Sequence, residues 1–265
     1  MKPIVLVVLN TLTLTGTLIM NYLGSTGRLT GRDVGEISDK YATLITPADY
    51  AFSIWGVIYL LLLLFVGFQW YLWLKENRAQ EINDSGLFFT LANLANAGWI
   101  VVWVSDLPGL SVLLMLALLV CLSLLVVRNR LELWDAPMRI ILFVWWPITL
   151  YFGWIIVATV TNLAAWLVSL GWQGGALGEP AWTIMMLIAA TLIYLGFILT
   201  RNLREAAFVG VWAFVSIGLK LWETVPSVAF TAFALATLLF LGGGIHAFLN
   251  RDTAPGAKIA RGEWR

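Results

Sequence analysis

The feature that most constrains this chain is a series of long apolar runs, the longest of which covers residues 138–168. In a helix with a rise of about 1.5 Å per residue, roughly 20 apolar residues cross the hydrocarbon core of a bilayer. Eight such runs are found, at residues 3–24, 49–74, 85–105, 109–127, 138–168, 181–200, 206–223 and 226–249. Hydrophobic residues make up 60% of the chain and charged residues 12%, against about a quarter charged in a soluble domain. The sequence therefore predicts an all-α polytopic membrane helical bundle with about eight transmembrane helices.

The basic residues test this count of eight. An even number of spans places 12 of the 16 Lys and Arg residues on one side and only Arg28, Arg32, Lys40 and Lys220 on the other. Because cytoplasmic loops are enriched in basic residues, both termini are predicted to be cytoplasmic, in a bacterial-type inner membrane or a photosynthetic membrane. The N-terminal run is interpreted as a retained first helix. The net charge of +1 gives no reason to expect a nucleic-acid partner.

The connections between the runs differ in length. Asp106-Leu107-Pro108 predicts a tight hairpin, and Pro226 suits the first turn of the last long helix. Residues 25–48 form a single long outer loop with charges of both signs, which is either a lid over a binding site or a solvated connector. The basic C-terminal tail is expected to contact membrane lipids.

Aromatic and amide side chains recur at helical spacing within the spans. Trp154, Ala158 and Asn162 lie at i, i+4 and i+8, so they share one face of the fifth span. Such a stripe suits a groove for a flat lipophilic ligand, and it equally suits a helix–helix packing seam. Five further residues are expected at similar depth on spans two and three, namely Trp55, Tyr59, Asn96, Trp99 and Trp103.

These residues resemble the tryptophan-rich sensory protein, or translocator protein, family. The fifth span reproduces the family pattern W-x3-A-T-x2-N-L-A-x-W beginning at Trp154, and span three keeps N-x2-W beginning at Asn96. Span two keeps P-x7-W-x3-Y beginning at Pro47, and the loop keeps Y-x2-L beginning at Tyr41. The family's loop usually also carries W-Y-x2-L-x-K-P-x-W-x-P, whose Trp and Lys residues are missing here.

The resemblance implies a five-helix bundle over residues 1–170, followed by a three-helix extension with a short cytoplasmic tail over residues 171–265. It also implies that a porphyrin or other tetrapyrrole, or a sterol-like molecule, binds in a pocket capped by the first loop, with a sensory or regulatory outcome. The ligand-binding residues that the resemblance implies are Trp55, Tyr59, Asn96, Trp99, Trp103, Trp154, Ala158 and Asn162. No cofactor is required and no enzymatic activity is expected, although the resemblance leaves light-dependent porphyrin degradation open.

The sequence shows few of the residue patterns that are typical of catalytic or metal sites. The spans contain no paired carboxylates, and the chain has neither H-x3-H nor C-x2-C, so no catalytic or metal-ligating residues are assigned. The single histidine, His246, is either an axial haem ligand or a packing or interfacial residue. Lys220 and Glu223 form either a snorkelling pair or a gate in a transport path.

Two other classes of function stay open at this point. One is a small-molecule transporter, which the lack of an obvious internal repeat disfavours. The other is a structural or assembly subunit of a larger membrane complex, in which the last three helices supply the contact surface for partner proteins. A homodimer is the simplest oligomer to expect.

Overall fold

The computed structural model describes residues 2–76, 82, 84–251 and 255–264, and these residues are helical with short connections. The helices are α1 Pro3–Ser25, α2 Val34–Lys40, α3 Ile54–Tyr71, α4 Phe88–Val104, α5 Pro108–Arg128, α6 Met138–Ser169, α7 Gly178–Arg201, α8 Arg204–Leu221, α9 Pro226–Leu249 and α10 Pro255–Ala260. The all-α bundle that the apolar runs predict is confirmed. Each of the eight runs corresponds to one long helix.

Six of these helices are long and apolar enough to cross a membrane. The other two long helices are α4, which has 17 residues, and α8, which begins with Arg204 and Glu205 and has Lys220 in its last turn. Both pack inside the bundle alongside the six. The chain is therefore an integral membrane protein, and its eight-helix organisation agrees with the hydropathy pattern.

The chain uses local signals to begin and end these helices. Proline occupies the first turn of α1, α5 and α9, where the missing N–H costs nothing because no intrahelical acceptor is present. Asn202 ends α7 in the left-handed conformation, with φ of 59°. One π-helical turn follows α3 at Leu72–Glu76, and another lies inside α6 at Ile141–Trp145. Arg139 of α6 joins these two regions through an ion pair of 2.9 Å to Glu76.

Helix α6 is the axis of the molecule. Its most apolar segment is 72% buried, whereas the corresponding segments of the other five membrane helices are 28–39% buried. On one side α6 packs against α3 and α5, which complete a ring with α1 and α4. On its other side it packs mainly against α8, which also contacts α7 and α9.

The contact between α6 and α8 brings the two backbones together. A Cβ atom added to Gly153 of α6 would lie 2.9 Å from both Cα and the carbonyl oxygen of Ala206. The Tyr194 hydroxyl of α7 donates a hydrogen bond of 2.7 Å to the carbonyl oxygen of the same Gly153. Only glycine permits this approach, which holds the last three long helices against the axis.

Buried amides and hydroxyls join the helices of the ring. The Asn10 side chain of α1 donates to Gln69 Oε1 of α3 at 2.9 Å and accepts from Thr90 Oγ1 of α4 at 2.7 Å. Thr17 of α1 donates to the carbonyl oxygen of Asn93 at 2.8 Å. Between apolar helices in lipid, hydrogen bonds of this kind fix which faces meet.

Candidate functional site

The segment of residues 26–48, called the lid here, folds across one end of the bundle and includes α2. Helix α2 is short, but a capping box holds its start. The Asp33 carboxylate accepts from the backbone N–H of Glu36, and the Glu36 carboxylate accepts from the backbone N–H of Asp33, both at 2.9 Å. The long loop thus has an ordered structure of its own.

A single carboxylate fastens the lid to the α4–α5 turn. Asp106 accepts hydrogen bonds from Arg32 Nη1 at 3.1 Å and from the Tyr41 hydroxyl at 2.8 Å, and it forms an ion pair with Lys40. Hydrogen bonds from Lys40 and Tyr41 lower the pKa of Asp106 to about 2, and the bond to Asp106 raises the pKa of Lys40. Asp106 has a φ of 65°, a conformation that Asp and Asn tolerate better than other residues with side chains. We call this cluster the latch.

Three further bonds position the lid. Trp103 Nε1 of α4 donates to the carbonyl oxygen of Val34 at 3.2 Å, and Thr30 Oγ1 donates to the carbonyl oxygen of Val104 at 3.0 Å. The backbone N–H of Leu44 donates to Glu179 Oε1 of α7 at 3.1 Å. The lid is therefore tied both to the ring and to the last three long helices.

A cavity of about 570 Å³, called the lid cavity here, lies beneath the lid between α1, α3 and α4. Its volume falls within the roughly 300–1,000 Å³ of typical ligand pockets. Its walls are formed by Leu18, Asn21, Tyr22, Ser25, Asp33, Val34, Gly35, Ser38, Asp39, Thr46, Asp49, Phe52, Trp55, Tyr59, Trp99 and Ile100. Aromatic rings therefore form much of its inner surface, and carboxylates lie towards the lid.

Two buried polar atoms in this wall lack a hydrogen-bond partner within the described part of the chain, the Tyr59 hydroxyl and Trp99 Nε1. An unpaired buried donor costs about 1–3 kcal/mol, so such atoms are normally paired. Both residues line a space large enough for a ligand or water, but the two atoms themselves are closed off from that space and reach it only if a side chain turns.

A second, much smaller space of about 60 Å³ lies on the other side of Trp55 and Trp99 and reaches α6. It is lined by Val34, Ser38, Tyr41, Thr46, Pro47, Phe52, Trp55, Trp99, Trp103, Met115, Trp154, Val157, Ala158, Thr161, Asn162 and Ala165. Its volume is enough for a water molecule or two, but not for a tetrapyrrole. The two spaces share six wall residues, Trp55 and Trp99 among them, so these rings stand between them.

The α6 stripe serves mainly as a packing seam. The Asn162 side chain exchanges hydrogen bonds with the Ser111 hydroxyl of α5 at 3.0 and 3.2 Å. One turn further along, Trp166 lies so close to Gly109 that an added Cβ would be 2.9 Å from its Nε1. Trp154 and Ala158 face the small space, and Trp154 contacts Trp55 edge to face at 6.3 Å. The packing-seam interpretation therefore describes the Asn162 end of the stripe, whereas its Trp154 end borders the small space.

The structure thus brings most of the predicted residues together around the two spaces. Trp55, Tyr59 and Trp99 line the lid cavity, and Trp103, Trp154, Ala158 and Asn162 border the small space. Asn96 lies outside both walls, because its side chain accepts from Asn21 and donates to the Tyr151 hydroxyl. Ligand binding by these residues stays a prediction.

Two important residues were not identified from the sequence. Tyr151 is buried, receives the Asn96 bond and contacts Trp55 edge to face at 5.9 Å. Its position three residues before Trp154, on the same helical face, was the available signal. Asp106 was interpreted only as part of a hairpin, since nothing local in the sequence indicates that a turn residue pairs with a loop more than 60 residues away.

A third cavity of about 390 Å³, called the charged cavity here, lies at the opposite end of the bundle. Its charged and titratable wall residues are Glu132, Asp135, Arg201, Arg204, Glu205, His246 and Lys258. Lys258 of α10 pairs with Asp135, and Asn202 donates to Glu132 at 3.2 Å. Burial, together with the charge of Glu205, raises the pKa of Glu132 to about 8. His246 is thus a residue of a charged, water-accessible wall.

No group of three or more His, Cys, Asp or Glu side chains among the described residues could hold a metal ion. Lys220 and Glu223 are both exposed at the end of α8 and lie outside the three cavities. Neither observation assigns a catalytic step to the chain.

Comparison with known proteins identifies the family. Neither the curated proteins nor the solved structures gave a match. A family model described as TSPO-like protein matches residues 7–245, which is most of the chain. The matched range runs past residue 170 and includes α7, α8 and most of α9. On the strength of this match, together with the helical membrane bundle, the chain belongs to the TSPO-like protein family.

Proposed function

We propose that this protein binds a flat lipophilic ligand, such as a tetrapyrrole or a sterol-like molecule, in the lid cavity, and that binding has a sensory or regulatory outcome. The observation that carries the proposal is a ligand-sized cavity walled by aromatic rings, two of whose wall residues, Tyr59 and Trp99, also hold a buried donor without a protein partner. Stacked aromatic rings flank them: Trp55 stacks on Tyr59 at 5.1 Å, and Trp99 stacks on Trp103 at 5.7 Å. Flat apolar faces with one N–H or O–H each suit a planar ring system with acceptor atoms.

The lid gives this binding site a means of closure. The latch holds Arg32, Lys40 and Tyr41 at the end of the bundle, so the ligand would be covered once it is bound. In a membrane with both termini cytoplasmic, the lid faces the outer side. A change in lid order on binding is then the physical signal that a partner protein could detect.

The test is a titration of detergent-purified protein with protoporphyrin IX dimethyl ester, a flat uncharged lipophile, followed by the ligand's own fluorescence. Leu18→Trp adds bulk to the α1 wall of the cavity, and we expect it to weaken binding about tenfold or more, because an indole fills space the ligand needs. Leu12→Trp is the matched control, since Leu12 is 63% exposed on the same helix and faces away from the cavity.

Saturable binding that Leu18→Trp weakens and Leu12→Trp leaves intact would support the proposal. Equal, non-saturable signals from all three proteins and from empty micelles would mean partition into detergent, and the binding function would be abandoned. Ala158→Phe then tells whether the small space takes part, because its side chain would fill that space alone.

A further inference from the structure

The charged residues in the wall of the lid cavity all have the same sign. They are Asp33, Asp39 and Asp49, and no Lys or Arg among the described residues lines this space. The lid itself carries charges of both signs, so its composition alone does not produce this bias. The bias arises from where the basic side chains are held.

The latch removes two of the three basic residues of the lid from the cavity. Arg32 and Lys40 both pair with Asp106 at the α4–α5 turn, outside the cavity wall. The third, Arg28, is exposed and stacks on the ring of Tyr22, with 5.4 Å between its guanidinium carbon and the ring centroid. One cation therefore lies beside the mouth of the cavity, compared with three carboxylates in its wall.

The carboxylates and the unpartnered donors lie at different depths. Asp49 precedes α3, and Tyr59 follows it by ten residues along the same helical segment, which separates them by about 15 Å along the axis. Asp33 and Asp39 belong to the lid, which covers this end of the bundle. The cavity is thus acidic at its mouth and apolar and aromatic along its length, with the two unpartnered donors enclosed behind its deeper wall.

We infer that the lid cavity selects flat lipophiles whose outward-facing group is cationic and disfavours those that carry carboxylates there. This inference rests on the proposed function, because it concerns the head group of the ligand that this same cavity would hold. An ammonium group at the mouth would be attracted to Asp39 and Asp49, and the flat ring system would lie against the aromatic side chains deeper in the cavity. A dicarboxylate tetrapyrrole would place its negative charges against these aspartates or against the apolar wall, and both arrangements are unfavourable.

The experiment compares three derivatives of one macrocycle in uncharged detergent at low salt. They are protoporphyrin IX with two carboxylates, its uncharged dimethyl ester, and its diamide with ethylenediamine, which ends in two ammonium groups. We expect the diamide to bind at least about tenfold more tightly than the dicarboxylate, with the ester between them. Added salt should narrow the gap, because charges at a water-exposed mouth are screened.

Substitutions at the mouth of the lid cavity test whether its aspartates cause the preference for a cationic head group. Asp39→Asn combined with Asp49→Asn should reduce the preference for the diamide and improve binding of the dicarboxylate, while binding of the ester stays unchanged. Asp33 is left in place because it caps α2. Glu223→Gln is the matched control, an exposed carboxylate at the end of α8 outside the cavity wall.

The outcomes separate the two proposals. If the dicarboxylate binds as tightly as the diamide, or if the double variant leaves the ranking unchanged, the head-group inference is overturned and the binding function stands. If none of the three derivatives binds saturably above the signal of empty micelles, the binding function itself is overturned.

Discussion

The lid cavity and the charged cavity occupy opposite ends of the same bundle and are built by opposite means. The lid cavity is walled by aromatic rings and, among the described residues, by charges of one sign, because Arg32 and Lys40 are paired outside its wall. The charged cavity is walled by residues of both signs, some of which pair across it, as Lys258 and Asp135 do. A largely aromatic wall can accept a flat apolar ligand, whereas space among opposed charges favours water.

The two ends of the bundle are also covered in different ways. At the lid end, a loop closes over the aromatic wall and is held by one aspartate. At the other end, α10 packs against the start of α6, where the backbone N–H groups of Met138 and Arg139 donate to the carbonyl oxygens of Glu263 and Trp264. One end is therefore covered by a latch of exposed ion pairs, and the other by backbone bonds and a buried lysine. The first is easier to open.

The largest expected effect comes from the axial helix α6, against which both groups of helices pack. Gly153→Val would drive side-chain atoms into the backbone of Ala206, so we expect the free energy of unfolding to fall by about 2–3 kcal/mol. Thermal unfolding in detergent measures this loss. The control is Gly196→Val on α7, where an added Cβ meets nothing within 4 Å. Equal loss in both variants would show that the close approach of α6 and α8 is not what holds the two helix groups together.

Glu132→Gln tests the charged cavity. The pKa of Glu132 is about 8 in the fold against an ordinary 4.5, so the folded state binds more protons between these values and stability falls as pH rises through that window. Glutamine removes this penalty, and at pH 8 we expect the variant to be about 1–2 kcal/mol more stable than the wild type, with little difference at pH 4. Unfolding curves across this pH range measure it, with Glu223→Gln as the exposed control. A difference that does not vary with pH would contradict the assignment.

A pair of tyrosine substitutions distinguishes cavity groups from structural ones. Tyr151→Phe leaves the Asn96 amide without its acceptor and should cost about 1 kcal/mol, whereas Tyr59→Phe removes a hydroxyl that has no protein partner and should leave stability unchanged or raised. Binding of the uncharged porphyrin ester should instead be weakened by Tyr59→Phe. Thermal unfolding and ligand titration of both variants give the answer. If Tyr59→Phe destabilises the ligand-free protein as much as Tyr151→Phe does, the Tyr59 hydroxyl has a structural role and is not available for a ligand.

The smallest effect on global stability should come from the latch. Asp106→Asn keeps a residue that tolerates the positive φ and removes only the charge, so we expect unchanged thermal unfolding but faster amide hydrogen exchange across residues 26–48. In the wild type, the pKa of about 2 means that the latch is intact above about pH 4 and is lost as pH falls towards 2. Asp135→Asn, in the charged cavity, is the control and should leave exchange in the lid unchanged. Unaltered exchange in Asp106→Asn would mean that the Trp103, Thr30 and Leu44 bonds hold the lid without the latch.

The sequence could predict the helices because their causes are local. Twenty apolar residues and a proline in the first turn favour a membrane helix whatever its neighbours are. This is why α9 begins at Pro226 as expected, and why α5 begins at Pro108 directly after the predicted hairpin. The aromatic residues around the lid cavity could be predicted for a related reason, since helical spacing on α3 and α4 places Trp55 with Tyr59, and Trp99 with Trp103.

The sequence alone thus determined a membrane bundle of about eight helices and the faces on which its Trp and Asn residues lie. The tertiary structure decided which of those faces enclose space. From their spacing, Asn96 and Asn162 were expected to bind the ligand together with the Trp residues. In the fold their amides instead form hydrogen bonds with Tyr151 and Ser111, because a buried amide pairs with the partner that packing brings next to it. Asp106 likewise acquires its role only when the lid folds back onto the α4–α5 turn. Pairings between residues far apart in the chain depend on how whole helices pack, and no local pattern encodes that packing.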